Sequence, residues 1–193
     1  WASIANKVDV VIHLAARVHV LREGEKDSLC KFMEINVRAT ERLAEAAAIA
    51  GAQKFIFISS VKVNGDITDG RPFFAEDLPK TKDPYGISKC KAEEAVRRIS
   101  AHFGMNAIIV RHTLGYGPGV GGNFLKLLNM IKWGIPLPLG AVKNKRSLLY
   151  LGNLVDAITS LVDDEEIRNE TFLISDGKDV STPNLIKMIA CAM

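Results

Sequence analysis

Tyr85 and Lys89 stand four residues apart near the start of a segment with helical spacing, which sets both side chains on one helix face. A free phenol titrates near about 10 and is a poor base at neutral pH. An ammonium beside it favours the phenolate and is expected to lower that pKa. Such a pair can move a proton to or from a hydroxyl near neutrality. Ser60 closes a strongly apolar run, Lys54–Ser59, that reads as a buried strand. Sheet enzymes place reacting groups at strand ends of this kind, and a hydroxyl there can bond the same substrate oxygen. A Tyr with Lys at i+4 is common by chance, so the pair carries weight only with its surroundings.

The elements that must position these groups follow from patterning. Val8–Ala16 is β-branched and apolar, as a strand buried on both faces requires. A helix is expected over about Ser28–Ala50, with Gly51 as its C-terminal cap. Asn64-Gly65 and Asp69-Gly70 mark turns. Asp83 followed by Pro84 signals an N-cap and first helical residue, and that helix is expected to end at Phe103 before Gly104. Ala107–Arg111 reads as a third strand. The alternation predicts an α/β fold with a doubly wound, Rossmann-like parallel sheet. Residues 1–115 are expected to form a partial dinucleotide-binding domain, and 116–193 a smaller, partial substrate-binding region. The latter should hold helices at about Asn123–Trp133 and Gly152–Val162, a returning strand at Glu170–Ser175 and a last helix from Thr182. The chain begins at Trp1 and stops at Met193 inside a helical pattern, so a fragment truncated at both ends is expected.

Composition narrows the partners. The chain has 193 residues, 48% hydrophobic and 24% charged, an ordinary globular balance. No apolar run is long enough to cross a bilayer. Cys30, Cys90 and Cys191 are scattered without metal-ligand spacing, which argues against zinc or a disulfide framework and for a reducing, cytoplasmic setting. From Ala95 to Val155 there is no Asp or Glu, while eight Lys and Arg residues fall there. That imbalance suggests an anionic partner. No aromatic-interleaved basic stripe accompanies it, so a small phosphorylated ligand is preferred over nucleic acid or a membrane.

Four segments then resemble the extended short-chain dehydrogenase/reductase family, in its nucleotide-sugar epimerase and dehydratase branch. They are His13-Leu-Ala-Ala16, Asn36-Val-Arg-Ala-Thr40, Ser59-Ser60-Val-Lys-Val-Asn-Gly65 and Pro84-Tyr85-Gly-Ile-Ser-Lys89. The 25 residues from Ser60 to Tyr85 agree with the family's spacing. The resemblance implies that Tyr85 is the acid/base, that Lys89 holds the nicotinamide ribose and tunes Tyr85, and that Ser60 orients the reacting oxygen. It implies NAD as cofactor, with NADP also allowed, lined by Leu14, Ala15, Ala16, Asn36, Ser59, Tyr85, Lys89 and Thr113. On the residues alone, Ser59 reads simply as a strand-ending serine. The resemblance further implies Ser60, Asn123 and Arg146 on a UDP-sugar substrate, Arg146 because its fork matches phosphate oxygens. It also implies a homodimer through the helices at 28–50 and 84–103.

Arg111–Gly119 departs from the family's pattern, with His112, Leu114 and Gly115 where Pro, Asn and Val are usual. Gly117-Pro-Gly-Val-Gly-Gly122 matches a dinucleotide fingerprint, but no acid follows at the distance the ribose needs, and the family's own glycine motif would precede Trp1. Dehydratases of this branch carry Asp-Glu after the catalytic hydroxyl residue. Val61-Lys62 occupies those positions here, which disfavours dehydration. A 4-epimerase of a UDP-hexose or UDP-N-acetylhexosamine in polysaccharide synthesis is the expected activity. A 4-ketoreductase, or a non-catalytic dinucleotide-binding regulator, is the alternative. His13, His19 and His102 read as structural, Cys90 as a buried small hydrophobe, and Glu93 and Glu94 as a solvated helix edge.

Overall fold

A computed structural model describes residues 8–18 and 25–193. His19 lies outside the described residues. The elements in chain order are β1 (Val10–His13), α1 (Glu25–Phe32), a π-helical segment (Met33–Arg38), α2 (Ala39–Ile49), β2 (Lys54–Ser60), a 3-10 turn (Val61–Val63), α3 (Pro84–Phe103), β3 (Asn106–His112), β4 (Leu114–Tyr116), α4 (Gly122–Lys132), β5 (Leu148–Tyr150), α5 (Leu151–Asp163), β6 (Thr171–Ile174) and α6 (Thr182–Ala192).

The main sheet has the order β1-β2-β3-β6. β1 lies parallel to β2, with Val10 opposite Lys54 and His13 opposite Phe57. β2 lies parallel to β3 from Lys54–Asn106 to Ser60–His112. All seven residues of β2 are buried, as a central parallel strand covered on both faces must be. Parallel strands joined through helices make this a Rossmann-like fold.

Phe55 and Phe57 pack with Ala44 and Ala47 of α2 and with Ala92, Val96 and Ile99 of α3. The small alanines let the helix backbone come close to the sheet. α3 starts where the chain chemistry dictates. The Asp83 carboxylate accepts the amides of Tyr85 at 3.0 Å and Gly86 at 3.3 Å, and Pro84 occupies the first turn. It ends at Gly104, whose φ of 73° a side chain would resist. Lys54, buried at the start of β2, gives its ammonium to the carbonyls of Leu161, Val162 and Asp164 at 2.8, 2.9 and 2.7 Å. The three bonds satisfy the orphan carbonyls that end α5.

The expected single helix over 28–50 is instead three consecutive pieces, with π geometry in the middle. The chain divides into two compact units. One holds the residues up to His112 together with Ile158–Leu173, and the other holds Thr113–Ala157 with Ile174–Met193. In the second unit β4 and β5 pair in parallel, Leu114 with Leu148 and Tyr116 with Tyr150. The Asp176 carboxylate there accepts the Tyr116 hydroxyl, the Tyr150 amide and the Asn153 amide within 3.0 Å each.

Candidate active site

β2 delivers Ser60 and α3 delivers Tyr85 and Lys89. Ser60 is extended, 7% exposed, and its Oγ accepts the Lys62 amide at 3.3 Å. The Ser60 hydroxyl faces the Tyr85 phenol and acts to lower its pKa. The Tyr85 ring meets Phe32 edge-on at 6.1 Å between centroids. Gly86 follows Tyr85 because nothing larger fits. A Cβ there would stand 2.0 Å from Thr81 Oγ1 and 3.0 Å from the Lys62 carbonyl oxygen.

Lys89, one turn on, is 2% exposed. Its Nζ donates to the Ile58 carbonyl at 2.7 Å and lies 4.1 Å from the Phe57 ring centroid, a cation–π contact. Burial pulls its pKa down to about 8, against the upward pull of Glu93. The Tyr85 phenol is pushed above its ordinary value, chiefly by burial, with the Ser60 hydroxyl acting downward and Asp83 upward. This corrects the expectation of a lowered phenol. Desolvation of the phenolate prevails, and the Lys89 ammonium is bound to Ile58 and Phe57.

A second chain of bonds fixes the loop after β1. The Asn36 amide sits in the π segment, 1% exposed. Its Oδ1 accepts the Arg17 amide at 2.7 Å, and its Nδ2 donates to the Arg17 carbonyl and to Ser88 Oγ, both at 3.0 Å. π bulges recur at functional sites. Thr40 donates to the Asn36 carbonyl at 2.8 Å, so His13 Nε2 must supply the hydrogen in its own 2.8 Å bond to Thr40 Oγ1. His13 stacks on Phe57 and is held neutral, its pKa lowered to about 4 by burial and then by Lys89. Its structural reading agrees with this geometry. His102 is exposed, edge-on to Phe103.

Leu14 is 61% exposed and Ala15 is exposed, at the carboxyl end of β1. The carboxyl ends of parallel strands are where such sheets take dinucleotides. Lys89 offers three N–H donors, and one meets Ile58. A buried ammonium with N–H donors beyond the Ile58 bond fits the ribose hydroxyls of a nicotinamide dinucleotide. Ser59 sends its hydroxyl to Glu93 Oε1 at 2.5 Å.

In the second unit, the Thr113 amide donates to the Ile174 carbonyl at 3.2 Å. Asn123 is exposed in the first turn of α4. The Arg146 side chain is exposed, with its backbone bridged to Val180 at 2.9 and 3.0 Å. The glycine-rich run Gly117–Gly122 follows β4, which pairs with β5 and not with the main sheet. A Cβ on Gly117 would stand 2.9 Å from Leu151 Cβ. These facts agree with rejecting the run as a dinucleotide fingerprint.

Two readings need correction. Glu93 is not a solvated edge. It is 3% exposed and forks onto Arg111, Oε1 to Nε at 2.9 Å and Oε2 to Nη2 at 2.6 Å. An acid on a helix gives no local sign of a partner 18 residues away on a strand. Glu94 is exposed and paired with Lys91, as expected. Cys90 is only half-buried, with Sγ 3.8 Å from Glu94.

The parallel sheet and its covering helices define an α/β protein of the Rossmann type. The chain belongs to the NAD dependent epimerase/dehydratase family, whose model matches residues 2–175. A UDP-glucose 4-epimerase from Vibrio cholerae is 44% identical over 186 residues, covering 95% of this chain and 57% of that protein. The structure of MoeE5 with UDP-glucuronic acid and NAD superposes with a TM-score of 0.87 at 25% identity, over 100% of this chain and 64% of that one. The UDP-glucuronic acid 4-epimerase from Bacillus cereus, solved with UDP-glucuronic acid and NAD, gives 0.86 at 25% identity, over 97% and 60%. The chain thus spans about three-fifths of the length of these relatives.

Proposed function

We propose that this chain carries the redox centre of a 4-epimerase acting on a UDP-hexose or UDP-N-acetylhexosamine with NAD. The observation that carries the reading is the Tyr85 phenol facing the Ser60 hydroxyl, with Lys89 buried one turn away. The Vibrio cholerae relative and the NAD-bound neighbours support it.

Ser60 orients the C4 hydroxyl by hydrogen bonding, and Tyr85 takes its proton and later returns it. Lys89 holds the ribose hydroxyls and supplies the positive charge that a transient phenolate needs. Burial draws the Lys89 pKa down to about 8, still above neutrality, so the ammonium is the main form at pH 7. A bound dinucleotide would supply the hydride chemistry at C4, with Lys89 holding its ribose. The backbone of Leu14, Ala15 and Ala16 lines it, and Asn36 holds that loop in place through Arg17. Thr113 would lie at its nicotinamide end, and Asn123 and Arg146 on the substrate diphosphate. NADP is the alternative coenzyme.

Ser60 is followed by Val61 and Lys62, and Lys62 is paired with Asp66. No carboxyl group at these two positions is available to protonate a departing C6 hydroxyl, which favours epimerisation over 4,6-dehydration. Polysaccharide synthesis in the cytoplasm is the proposed setting, and free Cys30, Cys90 and Cys191 suit a reducing compartment. Exposed Ile35 and Ile49 on the first helical run and Phe103 at the end of α3 support the proposed homodimer.

Tyr85→Phe in the full-length protein tests the reading. Turnover of UDP-N-acetylglucosamine or UDP-glucose should fall by about 10²–10⁴-fold with the melting temperature unchanged. Full turnover in this variant would refute it. Single-pass reduction of a UDP-4-keto-hexose by the parent, without epimerisation, would replace it with a ketoreductase.

A further inference from the structure

Tyr85, Lys89 and Glu93 recur at every fourth residue of α3, so one helix face presents all three. Both Glu93 oxygens are engaged. Oε1 takes the Ser59 hydroxyl and Arg111 Nε, and Oε2 takes Arg111 Nη2. This fork fixes the carboxylate plane. Arg111 Nη1 goes on to Asn64 Oδ1 at 3.1 Å and the Ala75 carbonyl at 3.2 Å, and Asn64 Nδ2 donates to the Phe74 carbonyl at 2.8 Å. One buried carboxylate therefore joins α3 to β2, to β3 and to the loop after β2.

Its attachment point on β2 is Ser59. Ile58, one residue earlier, accepts the Lys89 ammonium, and Ser60, one residue later, faces the Tyr85 phenol. Fixing Ser59 fixes both neighbours. A buried ion pair is a poor device for stability alone, since apolar replacements are often neutral or better. Holding a register is its better-attested use.

We propose that Glu93 is a positioning residue for the Tyr85–Lys89–Ser60 centre: clamped by Arg111 and bonded to Ser59, it sets the end of β2 against α3. The proposal rests on the reading of that trio as the reacting centre. Glu93 also acts on Lys89 through space, opposing the downward pull of burial. Of the other groups set around Lys89, His13 from β1 is neutral, Tyr85 is a phenol and Asn36 of the π segment is an amide. Arg111 from β3 is engaged by Glu93. Lys62 of the 3-10 turn pairs with Asp66 and approaches Asp83 at 3.9 Å. Glu41 of α2 is paired with Arg98.

The test uses the full-length protein with two readouts. One is the pH midpoint of the Lys89 side-chain resonance, read by NMR of lysine-labelled protein with Lys89→Arg as the assignment control. The other is the pH profile of kcat/KM on the UDP-sugar. Glu93→Gln should move the Lys89 midpoint and the alkaline limb together to lower pH, by about half a unit or more. Ser59→Ala leaves the ion pair intact, and should leave the Lys89 midpoint in place while lowering kcat about tenfold with little change in KM. Should Glu93→Gln fail to fold, the charge-neutral double variant Glu93→Gln with Arg111→Gln takes its place on the same readouts. A purely structural role predicts a lower melting temperature with the midpoint and the limb where the parent has them. That outcome, or an unaltered kcat in Ser59→Ala, would overturn the proposal. A parent that turns over no UDP-hexose would sink the epimerase reading instead, and the Lys89 resonance midpoint would still report on Glu93.

Discussion

Asn36 donates its side-chain amide to Ser88 Oγ across 3.0 Å, joining the π segment to the helix of Tyr85 and Lys89. The Ser88 hydrogen is spent on the Tyr85 carbonyl at 2.7 Å, so Ser88 accepts from Asn36. The same amide clasps Arg17 through both its N–H and its C=O. One side chain thus ties the loop after β1 to the start of α3.

Asn36→Ala should free that loop and leave buried polar groups unpaired. We expect a loss of about 1–3 kcal/mol in stability and a weaker hold on NAD, by roughly tenfold. Urea unfolding and calorimetric NAD titration of the full-length protein check this. Unchanged NAD affinity would show that Asn36 does not organise the cofactor loop.

His13 predicts an acid limit on stability. Its folded pKa of about 4 lies below the ordinary 6.5, so the unfolded chain binds the proton more readily. Its contribution to stability is therefore complete above pH 6.5 and is lost as pH falls from 6.5 toward 4. His13→Gln, which keeps a donor for Thr40, should flatten that part of the curve. Urea midpoints measured across this range would contradict the account if the two proteins lost stability in parallel.

Gly86→Ala should destabilise through overpacking, because the new Cβ meets Thr81 and the Lys62 carbonyl inside normal contact distance. A cost of about 1–3 kcal/mol is expected in urea unfolding. Activity should fall as well, since Tyr85 is adjacent. A variant as stable as the parent would mean that the Thr81 side chain yields freely.

Much of this architecture was legible in the residues, for local reasons. Asp83, Pro84 and Gly104 each act on their own helix end, so α3 runs from Pro84 to Phe103 as the sequence implies. The apolar run of β2 needs only its own composition. The π geometry at Met33–Arg38 has no such signature, because a shift in hydrogen-bond register leaves composition unchanged. Glu93 looks like a surface charge until β3, which carries Arg111, is laid beside β2. The direction of the Tyr85 shift is hidden from the sequence for a related reason. Spacing places Lys89 on the right face but says nothing of the Ile58 carbonyl and Phe57 ring that hold its ammonium, nor of the burial that outweighs it.

The most direct test of the redox centre follows the hydrogen at C4. A UDP-sugar deuterated at C4 should be converted by the full-length protein to its C4 epimer with the deuterium still on C4. Tyr85→Phe should suppress that conversion without changing where the label goes. Deuterium lost to solvent during epimerisation, as a proton-abstraction route would give, would contradict the account.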